Sequence, residues 1–259
     1  MDSTVLTATA ERVDRFDVSL FDAIESQTSL DDRMSLLALQ SAVARGFSSY
    51  AYLEIGSHLG GSIQPLLLDA RCRKIYSIDP RPASQPDNRG IVYEYPENST
   101  RKMLDNLRAL DGGDLLKIQC FDSDASQVDP RQIGDRPNFC FIDGEHTTAA
   151  AVSDFQFCRG ICHPDGVIAF HDASIIVPAL KRVLQQLRRQ RVEFRAGKLP
   201  GEVFFIALGQ SPVSRNAHIC EISRPAASFL FWTPLLRSAP VDFMRRTWRS
   251  IKARLRAKA

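Results

Sequence analysis

The sequence has no cysteine pair spaced as Cys-x-x-Cys and no long apolar run. A membrane-spanning helix needs about 20 consecutive apolar residues, so no spanning segment is predicted. Six cysteines are present, and several fall in apolar runs, where a reduced thiol behaves as a small core residue. The first residues also lack the apolar core of a secretion signal. These features favour a reducing, cytoplasmic environment.

The chain also lacks a strong charge of either sign and any internal repeat. Its 259 residues include 33 Lys and Arg against 30 Asp and Glu, and the formal net charge of +3 is too small to predict a nucleic-acid partner. Hydrophobic residues make up 44% and charged residues 24%, as in ordinary globular proteins. We therefore expect one domain with extensions.

Short apolar runs alternate with helical patterns between residues 31 and 210. This alternation predicts an α/β domain with a Rossmann-like, doubly wound and mostly parallel sheet. We expect seven strands, with one antiparallel edge strand, because a short Gly and Pro turn joins the last two. The predicted strands are residues 50–55, 74–78, 115–120, 139–142, 167–170, 192–195 and 203–208.

The two ends of the chain are predicted to be extensions of this domain. Residues 1–30 form a lead-in, with a helix over residues 12–25. Residues 211–259 are basic, since Asp242 is the only acid after Glu221. Apolar residues recur there at helical spacing: Met244, Trp248, Ile251 and Leu255. A basic amphipathic helix of this kind either lies on an anionic membrane surface as a peripheral contact, or packs against the domain or a second subunit of a homo-oligomer.

A glycine-rich loop follows the first predicted strand, in the run Glu54-Ile-Gly-Ser-His-Leu-Gly-Gly-Ser62. Glycine accepts positive φ and lets the backbone approach a ligand closely. The spacing is GxxxGG, which differs from the GxGxxG of dinucleotide sites. Glu54 could pair with a ligand ammonium and would repel a pyrophosphate. Asp79 follows the loop by about 20 residues, where an acid can accept both hydroxyls of a ribose. The pattern favours a nucleoside cofactor that carries an amino-acid group.

Polar residues also follow the fourth and fifth predicted strands, at Asp143, His146, His171 and Asp172. Ligands of open parallel sheets bind beyond the carboxyl ends of the strands, so we expect these side chains to meet the glycine loop. Two aspartates offer the hard oxygen ligands that Mg²⁺ prefers, and an imidazole beside them can take a proton from a hydroxyl. In the alternative interpretation, the aspartates only cap the helices that follow.

These motifs resemble those of class I S-adenosylmethionine-dependent methyltransferases. The run Leu53–Ser62 resembles motif I, and Ser77-Ile-Asp-Pro80 resembles motif II. Phe141-Ile-Asp-Gly-Glu-His146 and Ile168-Ala-Phe-His-Asp172 are similar to the small family that includes the macrolide sugar O-methyltransferases acting on macrocin and mycinamicin. The resemblance covers roughly residues 34–208.

The resemblance implies S-adenosyl-L-methionine as cofactor and a sugar hydroxyl, in a glycan or glycosylated small molecule, as acceptor. It implies His146 as general base and a divalent cation, Mg²⁺ or another, at Asp143 and Asp172. Mycinamicin-type enzymes carry a second acid where His171 stands, so three roles for His171 stay open: to bind the ion, to position the substrate or to bond to Asp172. The residues implied to bind the cofactor are Glu54, Gly56, Ser57, Gly60, Ser62, Asp79, Asp122 and Ser123.

Three alternatives remain open on sequence grounds. A catechol-type phenol O-methyltransferase would share the scaffold, but the asparagine of that group is replaced here by Ala173. An NAD-dependent oxidoreductase is disfavoured by Glu54 and by the missing GxGxxG. A non-catalytic cofactor-binding module is disfavoured by His146 and the paired aspartates. In each methyltransferase reading, we expect the acceptor pocket to involve the lead-in, residues 81–97 and the segment after Asp172.

Overall fold

An eight-stranded mixed sheet organises residues 3–238, which are the residues that the computed structural model describes. The strands are β1 (Tyr50–Ile55), β2 (Cys72–Ile78), β3 (Ser84–Pro86), β4 (Val92–Glu94), β5 (Ile118–Phe121), β6 (Phe139–Ile142), β7 (Val167–Phe170), β8 (Phe194–Lys198), β9 (Phe204–Leu208) and β10 (Arg224–Pro225). The α-helices are α1 (Ser3–Asp14), α2 (Leu30–Gly46), α3 (Gln64–Leu68), α4 (Thr100–Arg108), α5 (Thr148–Ile161), α6 (Val177–Arg189), α7 (Pro212–Arg215), α8 (Ala217–Ile222) and α9 (Ala226–Ser238).

The main sheet has the strand order β10-β8-β9-β7-β6-β1-β2-β5. Strands β5, β2, β1, β6 and β7 are parallel to one another. Strand β9 runs antiparallel to β7 and β8, and β10 runs antiparallel to β8. The predicted Rossmann-like, mostly parallel fold is therefore confirmed.

The sheet differs from the prediction in two details. It has eight strands instead of seven, because the two-residue β10 adds to one edge from beyond residue 210. The antiparallel strand β9 lies inside the sheet and not at its edge. All five residues of β9 are apolar and buried, whereas β8 includes Arg195 and Lys198. The short turn between them predicted a hairpin, but a hairpin signal does not show which strand meets the rest of the sheet.

The segments before and after the first two strands also differ from the expectation. The helix predicted over residues 12–25 is wrong: α1 ends at Asp14, and a 3₁₀ turn at Val18–Phe21 follows. Between them Phe16 has φ of 58°, which breaks the helical path. The predicted loop over residues 81–97 contains the small antiparallel hairpin β3–β4.

Alternate residues of the sheet feed two apolar layers. Tyr52 and Phe139 belong to the layer shared with α2, α3 and α4, whereas Leu53 and Cys140 belong to the layer shared with α5 and α6. Strands β1 and β6 are thus covered on both faces, as expected at the centre of a parallel sheet. Their carboxyl ends open at the middle of one sheet edge, where the topology reverses direction and a ligand site is expected.

No helix within residues 3–238 has the length and apolar character needed to span a bilayer. The basic amphipathic helix predicted from Met244 to Leu255 lies outside the described residues.

The turn after β1 packs against the turn after β6. The Asp143 N–H donates to the Ile55 carbonyl at 2.8 Å, and the Gly56 N–H donates to the Ile78 carbonyl at 2.9 Å. Gly56 has φ of +88°, and a Cβ at this position would lie 2.2 Å from the Asp143 carbonyl oxygen. Only glycine accepts this positive φ and also has no Cβ, so Gly56 determines how closely the two turns approach each other.

We expect Gly56→Ala to lower the melting temperature more than Gly112→Ala. Both glycines have a left-handed φ, +88° and +80°, but a Cβ at Gly112 meets nothing within 4 Å. The two alanines therefore share a backbone strain of about 1–2 kcal/mol, and only the first adds a backbone clash. Thermal unfolding of both variants checks this. Equal decreases in melting temperature would show that the turn at Gly56 can accept a Cβ without further loss of stability.

Candidate functional site

A single cavity of about 550 Å³ lies beyond the carboxyl ends of β1, β2, β6 and β7. One side is formed by the glycine loop and by polar residues at the strand ends: Gly56, Ser57, Ser62, Asp79, Asp143, His146, His171 and Asp172. The other side is formed by the lead-in residues 25–28, by Gln85, Arg89 and Tyr93 near the β3–β4 hairpin, and by Ser174 and Ile175. The three segments expected to form an acceptor pocket thus all line this cavity.

Glu54 lies behind the glycine loop and not in the cavity wall. Its side chain is fully buried. The Tyr52 hydroxyl donates to Glu54 Oε2 at 3.1 Å, and the Ser62 hydroxyl donates to Glu54 Oε1. Ser62 lines the cavity, so its hydroxyl connects the buried carboxyl to any ligand there. Gly60 also lies behind the wall, where its Cβ position would be 3.1 Å from the Met103 side chain.

Burial raises the pKa of Glu54 to about 8, against the opposing hydrogen bonds from Ser62 and Tyr52. The nearby Asp143 carboxylate adds to the rise. The carboxyl is therefore largely protonated near neutral pH when the cavity holds no cation. A ligand ammonium or sulfonium would favour the ionised form, because an opposite charge stabilises a carboxylate.

Asp79 stands at the end of β2 with its carboxylate already held by the protein. Its Oδ1 accepts from the Arg81 backbone N–H at 2.8 Å, and its Oδ2 accepts from the His58 backbone N–H at 2.9 Å. The buried Arg81 guanidinium also reaches Oδ2 at 3.3 Å and donates to the His58 carbonyl at 2.6 Å. Arg81 thus joins the glycine loop to Asp79, a role that the sequence pattern did not reveal.

The structure does not bring Asp122 and Ser123 into the cavity wall. Asp122 is largely exposed, accepts from the Thr100 hydroxyl and lies 3.8 Å from the Arg81 guanidinium. The wall after β5 is formed two residues later, by Asp124 and Ala125, and it faces Asp154 from α5. Burial, with the Asp124 and Glu145 charges, raises the pKa of Asp154 to about 7.

Asp143, His146, Asp172 and His171 form a ring in which carboxylates and imidazoles alternate. His146 Nε2 lies 3.3 Å from Asp143 Oδ1 and 3.2 Å from Asp172 Oδ2. His171 Nδ1 lies 3.1 Å from Asp143 Oδ1 and 3.7 Å from Asp172 Oδ2. Asp172 has φ of 48°, a strained conformation of the kind that concentrates at functional sites. One donor atom from each residue lies within 4.8 Å of the others, so the cluster could hold a metal ion.

The charges of this cluster compensate one another. Burial would raise the pKa of Asp143, but the neighbouring His171 and His146 outweigh it and hold this pKa at about 2. Burial likewise opposes the protonation of both imidazoles, yet contacts with Asp143 raise the pKa of His146 and of His171. The site therefore favours positive charge between its two carboxylates.

Asp32 is a site residue that sequence reasoning missed. It completes a capping box with Ser29, whose backbone N–H donates to Asp32 Oδ2 at 2.9 Å. The same Oδ2 lies 3.4 Å from His171 Nε2. Burial opposes ionisation, but His171 and the Glu202 backbone N–H lower the pKa of Asp32. The first turn of α2 thus reaches the cluster at the ends of β6 and β7.

Asn88 is a second residue that sequence reasoning missed. Its backbone N–H donates to the His146 carbonyl at 3.0 Å, and its Oδ1 accepts from the Thr148 N–H at 2.9 Å. Its side-chain amide donates to the Ile175 carbonyl at 3.2 Å. Asn88 therefore ties the tip of the hairpin to the His146 loop and to the segment after Asp172. No pattern distinguishes it from the other polar residues of residues 81–97.

Comparison with known proteins agrees with this geometry. Residues 53–173 match a family described as a methyltransferase domain. This stretch, just under half of the chain, is similar to methyltransferase domains. The sequence-based assignment to the S-adenosylmethionine-dependent methyltransferases is thereby confirmed, and the oxidoreductase alternative gains no support. No curated protein matches the sequence.

Solved structures share the fold at low identity. Cofactor-bound Rv0187 from MTB is 15% identical, covering 81% of this chain and 91% of that chain with a TM-score of 0.51. The O-methyltransferase TomG from Streptomyces achromogenes, in complex with SAM, is 13% identical. The match covers 80% of this chain and 90% of that chain with a TM-score of 0.50. MycE from the mycinamycin pathway, in complex with Mg and SAH, is 14% identical, and the match covers 62% of this chain and 46% of that chain. Its TM-score of 0.42 is too low to support any conclusion about the acceptor of this protein.

We expect Glu54→Gln to flatten part of the pH dependence of stability. The pKa of Glu54 is near its ordinary value of 4.5 in the unfolded chain but about 8 in the folded protein. Its contribution to stability is therefore fully present below 4.5 and is lost as the pH rises through 8. The melting temperature of the ligand-free wild type should fall relative to Glu54→Gln between pH 5 and 8.5. A constant difference between the two proteins over this range would contradict the assigned protonation.

Proposed function

We propose that this protein transfers the methyl group of S-adenosyl-L-methionine to a hydroxyl oxygen of a sugar, in a glycan or a glycosylated small molecule. The observation that carries the proposal is that one cavity joins two chemically different halves. The glycine loop and Asp79 form the half suited to a nucleoside cofactor, and the carboxylate–imidazole ring forms the half suited to activating a hydroxyl.

On the cofactor side, Gly56 and Ser57 would contact the methionine part through their backbone and the Ser57 hydroxyl. The Ser62 hydroxyl, backed by Glu54, would face the ammonium group. Asp79 would accept the ribose hydroxyls, since its carboxylate lies at the cavity wall. The cofactor contact that the resemblance implied at Asp122 and Ser123 is better supplied by Asp124 and Ala125, which line the cavity.

Methyl transfer is an in-line displacement. The acceptor oxygen forms a bond to the methyl carbon while the carbon–sulfur bond breaks, and S-adenosylhomocysteine leaves as a neutral thioether. His146 takes the proton of the acceptor hydroxyl at Nε2, the nitrogen that faces the two carboxylates. Asp143 lies 3.3 Å from the same nitrogen and stabilises the protonated imidazole that forms.

Asp143 and Asp172 would hold a divalent cation, and the residues present fit such a group. Donor atoms from two carboxylates and two imidazoles converge. In addition, His171 Nε2 is buried without a well-aligned hydrogen bond, as though the ring were placed for a ligand on its other side. A bound cation would acidify and orient the acceptor hydroxyl.

The acceptor side of the cavity supports a polyhydroxylated substrate. Its wall is rich in side chains that donate or accept hydrogen bonds: Glu25, Ser26, Gln27, Thr28, Gln85, Arg89, Ser174 and Glu202. A flat phenol needs an apolar slot and few such groups. Ala173, which replaces the asparagine of catechol-type enzymes, is fully buried and cannot contact a second hydroxyl. These features favour a sugar over a catechol.

We expect His146→Gln to slow methyl transfer by roughly 10²–10⁴-fold, the usual contribution of a general base, while the affinity for S-adenosylhomocysteine stays unchanged. The measurements are transfer of a labelled methyl group to a panel of sugars and phenols, and calorimetric titration with S-adenosylhomocysteine.

The matched control is His218→Gln, which removes a histidine that stacks on Phe16 outside the cavity lining. It should retain the wild-type rate. A wild-type rate in His146→Gln would remove the general-base role. Transfer to phenols but not to sugars would replace the proposed acceptor class.

A further inference from the structure

We propose that His171 is the third protein ligand of the cation and that Asp32 orients the His171 ring for this contact. The ring nitrogen of His171 then shifts the metal preference of the site from Mg²⁺ towards first-row transition-metal ions. This inference rests on the cation site of the proposed function. It goes further by assigning His171 one of the roles left open by the sequence, by adding a positioning residue from α2, and by naming the class of metal.

The geometry separates the two histidines of the ring. Metal-binding histidines present one nitrogen to the ion and donate the other N–H to a carboxylate or carbonyl. His171 has this arrangement, with Nδ1 facing Asp143 and Asp172 and Nε2 facing Asp32. The ion-pair contacts of His146 within residues 3–238 all involve Nε2. His146 thus lacks the carboxylate anchor and is suited to exchange a proton.

The spacing of the donor atoms fits a shared ion. Ligands held about 2.1 Å from one metal ion, at angles between octahedral and tetrahedral, lie roughly 3.0–3.4 Å apart. His171 Nδ1 lies 3.1 Å from Asp143 Oδ1 and 3.7 Å from Asp172 Oδ2. Of these two distances, only the second needs to shorten, by a small rotation of an aspartate that is partly exposed.

Asp32 is fixed before any ligand binds. Its Oδ2 accepts from the Ser29 hydroxyl at 2.6 Å, and its Oδ1 accepts from the Glu202 backbone N–H at 2.5 Å. Gly201 provides the space that this carboxylate occupies, because a Cβ at position 201 would lie 2.2 Å from Asp32 Oδ1. The carboxylate is almost fully buried and cannot swing away from His171.

This fixed carboxylate determines which nitrogen of His171 carries the proton. A buried N–H without an acceptor costs about 1–3 kcal/mol. His171 Nε2 is buried without a well-aligned hydrogen bond, and Asp32 Oδ2 at 3.4 Å can accept from it. When a cation binds, His171 Nδ1 gives up its proton to solvent, the other hydrogen stays on Nε2 beside Asp32, and the Nδ1 lone pair faces Asp143 and Asp172.

The nitrogen donor changes the metal preference. Mg²⁺ takes oxygen ligands almost exclusively, whereas imidazole suits iron, nickel, copper and zinc. Oxygen ligands alone can also bind Co²⁺, so the informative quantity is the ratio of the Mg²⁺ and Co²⁺ dissociation constants and its change on substitution. An oxygen at position 171 should reduce that ratio.

The test uses the full-length, chelator-treated protein, titrated calorimetrically with MgCl₂ and CoCl₂. We expect His171→Glu to lower the ratio of dissociation constants by roughly tenfold or more and to shift the visible absorption of bound Co²⁺. We expect Asp32→Asn to weaken Co²⁺ binding by about 10–100-fold, as loss of a carboxylate behind a ligating histidine does. His218→Gln is the matched control and should change neither value.

Pulsed EPR of Mn²⁺-loaded protein provides a measurement that does not depend on the folding of variants at position 171. Nitrogen coupling should be present in the wild type and should persist in His146→Gln, because the nitrogen belongs to His171. A merely structural role of Asp32 would lower the melting temperature of Asp32→Asn without changing its affinity for Co²⁺.

The inference is overturned by an unchanged metal ratio in His171→Glu, by the absence of nitrogen coupling, or by unchanged Co²⁺ binding in Asp32→Asn. It is also overturned if the protein binds S-adenosylhomocysteine but no metal, in which case His171 serves as an internal cation between the aspartates. Failure of the proposed function looks different, since S-adenosylhomocysteine binding and methyl transfer are then lost in the wild type whatever the metal result.

Discussion

The parallel pairing of β1 with β6 is the constraint on which the site depends. It places the turn after Ile55 against the turn after Ile142, so closely that position 56 has no room for a Cβ beside the Asp143 carbonyl. Because the Asp143 N–H donates to the Ile55 carbonyl and position 56 touches the Asp143 carbonyl, the glycine loop and Asp143 are coupled in position. In the proposed reaction, a cofactor on one turn and a hydroxyl activated by the other would thereby be held at a fixed separation, and such positioning is a large part of catalysis.

Charge compensation is the second organising feature. Three carboxylates, Asp32, Asp143 and Asp172, surround His171, and His146 closes the ring on the cavity side. Buried carboxylates are costly unless they are paired, so the histidines stabilise the cluster in the absence of a ligand. In the proposed function the same arrangement would bind a cation, so the contacts that stabilise the site are also the contacts that serve its chemistry.

Much of the site could be predicted because its signals are local. The glycine loop, Asp79 and the pair His171-Asp172 each lie within a few residues of a strand end, and the positions of strand ends follow from short apolar runs. Asp122 and Ser123 show the limit of this reasoning, since the wall after β5 is formed two residues later, by Asp124 and Ala125. These two residues were assigned by resemblance to a family motif, and a difference of two residues in the loop after β5 suffices to exchange one contact for another.

The sequence by itself determined the alternation of strands and helices, the two-sided burial of β1 and β6, and the residue types at the strand ends. The tertiary structure decided the internal position of β9, the connection of Glu54 to the cavity through Ser62, and the approach of Asp32 to His171. The reason is that periodicity reports which face of one element is buried, whereas these contacts join elements far apart in the chain. Their partners are fixed only when the whole sheet and its helices have packed.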